Sequence, residues 1–198
     1  MGKARAAGLF SGAIAAALAI AAPLQAGAAP DHGFADRVLA AAKLGWMLDA
    51  MDFLLYVMVI GRLKEYFQFD DAMAGLLGTI TLLVSATGGL FFGFIADRFG
   101  RARTLIVTIL VFSLCSLGAA TSQTLTQLVL WRALLGLGMG GEWASGAVLV
   151  SETWPAQHRT KAIGIMQSGW ALGYILAAIV AAVFLDVLSL GPEAWRWL

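Results

Sequence analysis

The sequence predicts an all-α integral membrane protein, and three observations predict it. Of 198 residues, 60% are hydrophobic and 13% charged, with a mean hydropathy of +0.83, which leaves too little polar surface to cover a soluble globule of this size. Five apolar runs are long enough to cross a hydrocarbon core, which takes about 20 residues at about 1.5 Å of rise each. The 13 Lys and Arg fall in the short breaks between those runs, so charge reports topology here. A net charge of +1 offers no footprint for nucleic acid.

The spans are expected at 44–60, 72–96, 104–120, 128–150 and 162–185. Their short connectors force neighbouring helices to run antiparallel in one bundle. Positive loops stay cytoplasmic. The second connector holds Arg98, Arg101 and Arg103, and the fourth holds Arg159 and Lys161, whereas the third, TSQTLTQ, holds no cation. In the first, Arg62 and Lys64 are offset by Glu65, Asp70 and Asp71. The even connectors and the start of the first span therefore lie inside. The tail LGPEAWRWL then lies outside, where its tryptophan pair suits a membrane interface and a sixth span is expected to follow.

Residues 1–30 have a basic start at Lys3 and Arg5, a stretch of small apolar residues and an AGA-type end, the pattern of a secretory signal peptide. Export of residues 31–43 would invert every later span and send Arg98, Arg101 and Arg103 outside. The segment 1–43 is therefore expected to be an extension, signal-like or interfacial, with the bundle proper over 44–198. Cys115, inside an apolar run, reads as a packing residue. His32 and His158 each stand alone, so no metal site is expected. Without a nucleophile beside a base or a phosphate loop in context, neither an enzyme nor a cofactor is expected.

Two segments carry specific patterns. The first is GFIADRFGRART, from Gly93 to Thr104. Glycine permits a tight turn and close helix approach, and Asp97 stands at a helix end where it can pair with Arg101 or with a moving partner helix. A plain positive-inside loop explains Arg98, Arg101 and Arg103 but not the spacing of Gly93, Asp97 and Gly100. The second is WRALLGLGMGGEWASGAVLVSETWPAQHRTKAIG. Its glycines, Gly136, Gly138, Gly140 and Gly141, form a packing stripe in an apolar helix. A nucleotide-binding glycine loop fails on context, because no strand precedes them.

These segments resemble two signatures of the major facilitator superfamily. One is G-x-L-A-D-R-x-G-R-[KR]-x between helices 2 and 3, with Ile95 in place of the usual Leu and Ala102 where a second basic residue often stands. The other is the helix 4 pattern R-x-x-x-G-x-G-x-G-G followed by E-x-x-P-x-x-x-R, through Arg132, the four glycines, Glu152, Pro155 and Arg159. The resemblance implies the N-terminal half of a twelve-helix carrier, five helices of a six-helix bundle, in the plasma (inner) membrane. It also implies that the first loop acts as a latch between the halves.

Ionisable residues at membrane depth are functional-site candidates by default. Asp49 and Asp52 are such a pair in GWMLDAMDFLLY, and their i, i+3 spacing puts them on one helix face. Two carboxylates that close are not expected to be ionised together in a low dielectric, which marks the pair as a proton carrier. Counted from Leu44, they lie roughly 7 to 12 Å deep, and Glu142, counted back from Val150, lies at about 12 Å. The three carboxylates are expected to share one level. Arg132 counts nearer the outer face, so a direct pair with the first helix is not expected, and it reads as a cavity-facing cation.

The segments GWMLDAMD, GGEW and QSGWALGY together are similar to metabolite:proton symporters, the sialate and monocarboxylate carriers and their aromatic-acid relatives. Ala50 stands where the aromatic-acid branch has a glycine, which leans toward the sialate side. The fifth span lacks the G-x-x-x-G-P-x-x-G-G pattern of drug antiporters, which leans toward symport. Gln167 reads either as a substrate contact or as a polar residue joining two helices. The resemblance implies symport of a small organic acid with protons. Asp49, Asp52 and Glu142 then serve the proton, Arg132, Gln167 and Trp46 the substrate, and the bilayer and the second half of the carrier are the partners. The competing expectations are a non-transporting or oligomerising membrane fragment, and a sugar porter or drug antiporter of the same superfamily.

Overall fold

The computed structural model describes residues 32–187 and 194–197. The signal-like reading of residues 1–30 lies outside them. Among the described residues five helices are long and apolar enough to cross a membrane: α1 (His32–Phe67), α2 (Asp71–Phe99), α3 (Arg101–Ala120), α4 (Leu125–Thr153) and α5 (Arg159–Ala181). A π-helical turn, Ala182–Val187, continues α5, and a 3₁₀ turn covers Ala194–Trp197.

Local chemistry sets the breaks. Asp70 caps α2 by accepting from the Met73 amide at 2.9 Å, and Thr124 caps α4 by accepting from Gln127 N at 3.3 Å. At Gly100 the backbone turns to φ +97°, a region that favours glycine, which lets α2 end and α3 begin across a single residue. Trp154, extended ahead of Pro155, ends α4.

The first helix starts twelve residues ahead of the apolar run expected from Leu44. The segment FADRVLAAAK is a good helix former, and its Val38, Leu39 and Ala42 are buried against Leu105, Leu149, Val150, Ala162 and Met166 of α3, α4 and α5. Residues 32–43 are thus packed turns of α1. At the far end, Trp195 packs on Tyr66 and Phe67 with ring centroids 5.5 and 5.6 Å away, and Arg196 donates to Ala120 O and to the Tyr66 hydroxyl, each at 2.9 Å.

Helix α4 is the hub, packed on α2 and α3, while α1 packs chiefly on α5. Small residues make this possible. A Cβ on Gly136 would strike the Thr81 carbonyl and one on Gly140 the Ser85 carbonyl, both on α2, while one on Gly138 would come within 2.8 Å of Phe112 N on α3. Gly169 and Gly173 bring α5 equally close to the Lys43 and Met47 carbonyls of α1. Van der Waals contact between backbones is the main attraction available to helices in lipid.

Candidate functional site

The carboxylates of α1 look in two directions. Asp49, 1% exposed, accepts from Trp143 Nε1 at 3.0 Å through Oδ2, and its Oδ1 has no partner among the described residues. Glu142 of α4, 2% exposed, lies over Gly45, one turn before Asp49, and its Oε1 is also without a partner. Asp49 and Glu142 are electrostatic neighbours, and neither belongs to an ion pair among the described residues.

Asp52 has different company. Its Oδ2 meets Arg132 Nη1 at 2.9 Å, and its Oδ1 accepts from Ser116 Oγ of α3 at 3.2 Å. The guanidinium sits 4.2 Å from the centre of the Tyr56 ring, and the Tyr56 hydroxyl donates to Ala74 O at 3.0 Å. The expectation that Arg132 would not reach α1 is therefore corrected. Depth had been counted from Leu44, whereas α1 begins at His32, so Leu44 is not a helix end from which to count, and a count of Cα positions ignores the reach of an arginine. The correction extends to the carboxylates. Asp52 is matched by a cation, so the uncompensated pair is Asp49 with Glu142, not Asp49 with Asp52.

Four aromatic side chains adjoin this pair. Trp46 stacks on Trp143 with centroids 4.7 Å apart and an interplanar angle of 26°. Trp170 of α5 meets Trp143 edge-on at 5.4 Å, and Tyr174 lies 5.9 Å beyond Trp170. Trp46 is only 7% exposed and backs the cluster, while Trp143, at 39%, is its open member. Gln167 is exposed on α5 and makes no hydrogen bond among the described residues, and Ser168 donates to its own helix at Ile165 O. Gly45 and Trp143 escaped the sequence reading. Both stood beside residues already singled out, in GWMLD and GGEW.

At the other end of the bundle, Arg101 bonds Asp97 Oδ1 at 3.1 Å and Glu152 Oε2 at 2.9 Å, tying the end of α2, the start of α3 and the end of α4. One arginine thus joins the loop pattern to the helix 4 pattern. Arg98, Arg103 and Arg159 are exposed there, Gly93 has open space where a Cβ would stand, and Pro155 lies in the α4–α5 turn. No group of three or more His, Cys, Asp or Glu able to hold a metal is present among the described residues.

The family model of the Major Facilitator Superfamily matches residues 44–198. The chain belongs to that superfamily. It is a multi-pass protein of the plasma (inner) membrane. It is 43% identical over 152 residues to a probable 4-methylmuconolactone transporter of Cupriavidus pinatubonensis, covering 77% of this chain and 35% of that protein. It is 35% identical to a cis,cis-muconate transport protein of Acinetobacter baylyi (71% and 34% covered) and 31% identical to the sialic acid transporter NanX of Escherichia coli (81% and 38%). The chain spans about a third of the length of these superfamily members, all of which bear transporter names.

Proposed function

We propose that this chain is the first part of a twelve-helix secondary carrier that moves a small organic acid anion together with protons. The observation that carries the reading is the pairing pattern at membrane depth. Arg132 is matched by Asp52, while Asp49 and Glu142 are buried as neighbours with no ion-pair partner among the described residues. An uncompensated buried charge costs several kcal/mol, and two neighbouring anions repel as well, so the pair is best accommodated when it holds a proton.

Arg132 supplies the anion site. Its Nε is buried without an acceptor, and a guanidinium has five donors in a fork that fits carboxylates. An incoming acid meets it beside Asp52 or in its place. The relatives' names support an organic acid, among them transporters for muconate, benzoate and sialic acid. The lean toward the sialate branch drawn from Ala50 gains no support from identities of 43% and 35% to the methylmuconolactone and muconate carriers against 31% to the sialic acid transporter. Carriers of this architecture rock two halves about a midplane site. Arg101, with Asp97 and Glu152, is then part of the cytoplasmic latch.

The test is uptake of labelled organic acid into cells by the carrier containing this chain, with and without Asp49→Asn combined with Glu142→Gln, which removes both unpaired buried acids. The two substitutions together should abolish accumulation driven by a proton gradient. Unchanged accumulation would overturn the assignment of the proton to this pair.

A further inference from the structure

Helix α4 places Arg132 and Trp143 eleven residues apart, which is three turns within about 20°, so both stand on one stripe of the helix. Each reaches a different acid of α1: the guanidinium takes Asp52 and the indole N–H takes Asp49. Those acids are three residues apart, about 4.5 Å of rise. From α4 positions about 16 Å apart along the axis, the two side chains converge on acids one turn apart, so the guanidinium and the indole N–H stand at neighbouring levels of α1.

The ring at the second level has a second attachment. Trp46, buried, and Trp170, half-buried, hold Trp143 from α1 and α5, yet Trp143 keeps the largest exposure of the three. It is thus the cluster member an incoming flat molecule meets, and also, among the described residues, the hydrogen-bond donor to Asp49. Around Asp49 the charged groups are Glu142 from α4 and Asp52 on α1 itself, the latter matched by Arg132. From α3 and α4, the core cluster that includes Cys115 packs on Trp170, and Tyr174 of α5 lies beside the same ring.

We infer that Trp143 is the positioning residue that couples occupancy of an aromatic subsite to the proton on Asp49, and that the subsite takes flat, π-conjugated organic acids. The inference rests on the symport reading. With the subsite empty, the indole N–H bonds the Asp49 carboxylate and favours its charged form, since a donor to a carboxylate stabilises the anion. A conjugated acid stacking on Trp143, with its carboxylate toward Arg132, draws the indole from Asp49. The carboxylate, left without its donor beside Glu142, takes a proton from solvent onto the freed oxygen. One anion and one proton are then bound together.

The experiment uses the purified carrier containing this chain, in lipid nanodiscs, titrated with benzoate and with cyclohexanecarboxylate, which carries the same charge on a non-planar ring. Affinity is read calorimetrically, and protons taken up per anion are read from the dependence of heat on buffer ionisation. The wild-type protein should prefer benzoate by about three- to tenfold, the range of an aromatic pair, with about one proton taken up per benzoate. Trp143→Phe keeps a stacking face and removes the donor; it should still bind benzoate, weakened by no more than about tenfold, while proton uptake falls by more than half. Asp49→Asn keeps an acceptor for the indole and should abolish uptake. If Trp143→Phe takes up protons as the wild type does, or if cyclohexanecarboxylate binds as well as benzoate, the inference is overturned while the symport reading stands. If the wild-type protein binds neither acid with a proton, the symport reading falls and the inference with it.

Discussion

Gly45→Ala is the sharpest probe of the buried acid pair. A methyl on Gly45 would fall on Glu142 Oε1, 2.7 Å from the carboxyl carbon and 3.3 Å from Oε2. Ordinary contact begins near 3.4 Å, so the carboxyl group must retreat by about 2 Å in surroundings that leave Glu142 only 2% exposed. Overpacking of this kind costs about 1–3 kcal/mol, and an off-rotamer carboxylate adds about 1 kcal/mol. If the clash is with that carboxyl group, shortening Glu142 must relieve it. Gly45→Ala with Glu142→Ala should therefore be more stable than the sum of the single changes by about 1–3 kcal/mol, the coupling expected of residues in contact. The assay is unfolding of purified protein in mild detergent with rising SDS, followed by tryptophan fluorescence. Additivity within about 0.5 kcal/mol would mean that Glu142 does not lie over Gly45, and the site as described would be wrong.

A second cycle addresses Asp52 and Arg132: Asp52→Asn and Arg132→Gln should each cost about 2–3 kcal/mol, below the range for a fully buried pair because both side chains keep some exposure, and the double variant should cost less than their sum in the same unfolding assay. Gly140→Ala drives a methyl into the Ser85 carbonyl and within 2.8 Å of Gly89 N, a backbone clash that only parting α2 from α4 relieves. It should abolish monodisperse protein on size exclusion, whereas Gly164→Ala, with open space around it, should leave stability unchanged or raise it by up to about 1 kcal/mol. Arg101→Ala should lower stability by less than about 1 kcal/mol, because Asp97 and Glu152 are largely exposed; a loss above about 2 kcal/mol in unfolding would mark Arg101 as a structural residue instead.

The five spans of the described residues were legible because lipid imposes one rule, that backbone groups be satisfied within helices, and apolar length then reports a crossing. The start of α1 was not. Hydropathy detects residues that face lipid, and the turns from His32 to Lys43 are held by packing on α3, α4 and α5 while still carrying Asp36, Arg37 and Lys43. That omission left depth counted from a point inside the helix, and the reach of the Arg132 side chain to Asp52 was not counted at all. The acids themselves were legible, since charge in an apolar run is conspicuous. Their partners were not, because an i, i+3 spacing gives a shared face but not what stands opposite each position. The bond from Arg101 to Glu152 was missed for the same reason, as it joins two motifs that sequence analysis treats separately.

The glycines of α4 explain why the pairing at the site is so specific. Gly136 and Gly140 lie against α2 backbone, Gly138 against α3 backbone, and Gly141 between Phe92 of α2 and Thr108 of α3, so α4 cannot slide along its axis without driving α2 or α3 atoms into its own backbone. Helix α1 is held in turn by Gly169 and Gly173 of α5 and by the cap of Trp195 on Tyr66 and Phe67. With both helices locked from their far sides, the register between them is set by contacts that contain no charge. Asp52 faces Arg132 and Asp49 faces Trp143 as a result of that register. A change within this bundle when ligand or proton binds therefore falls to the side chains of the site, above all to the open ring of Trp143, while larger movement falls to the bundle as a unit, at the ion pairs of Arg101.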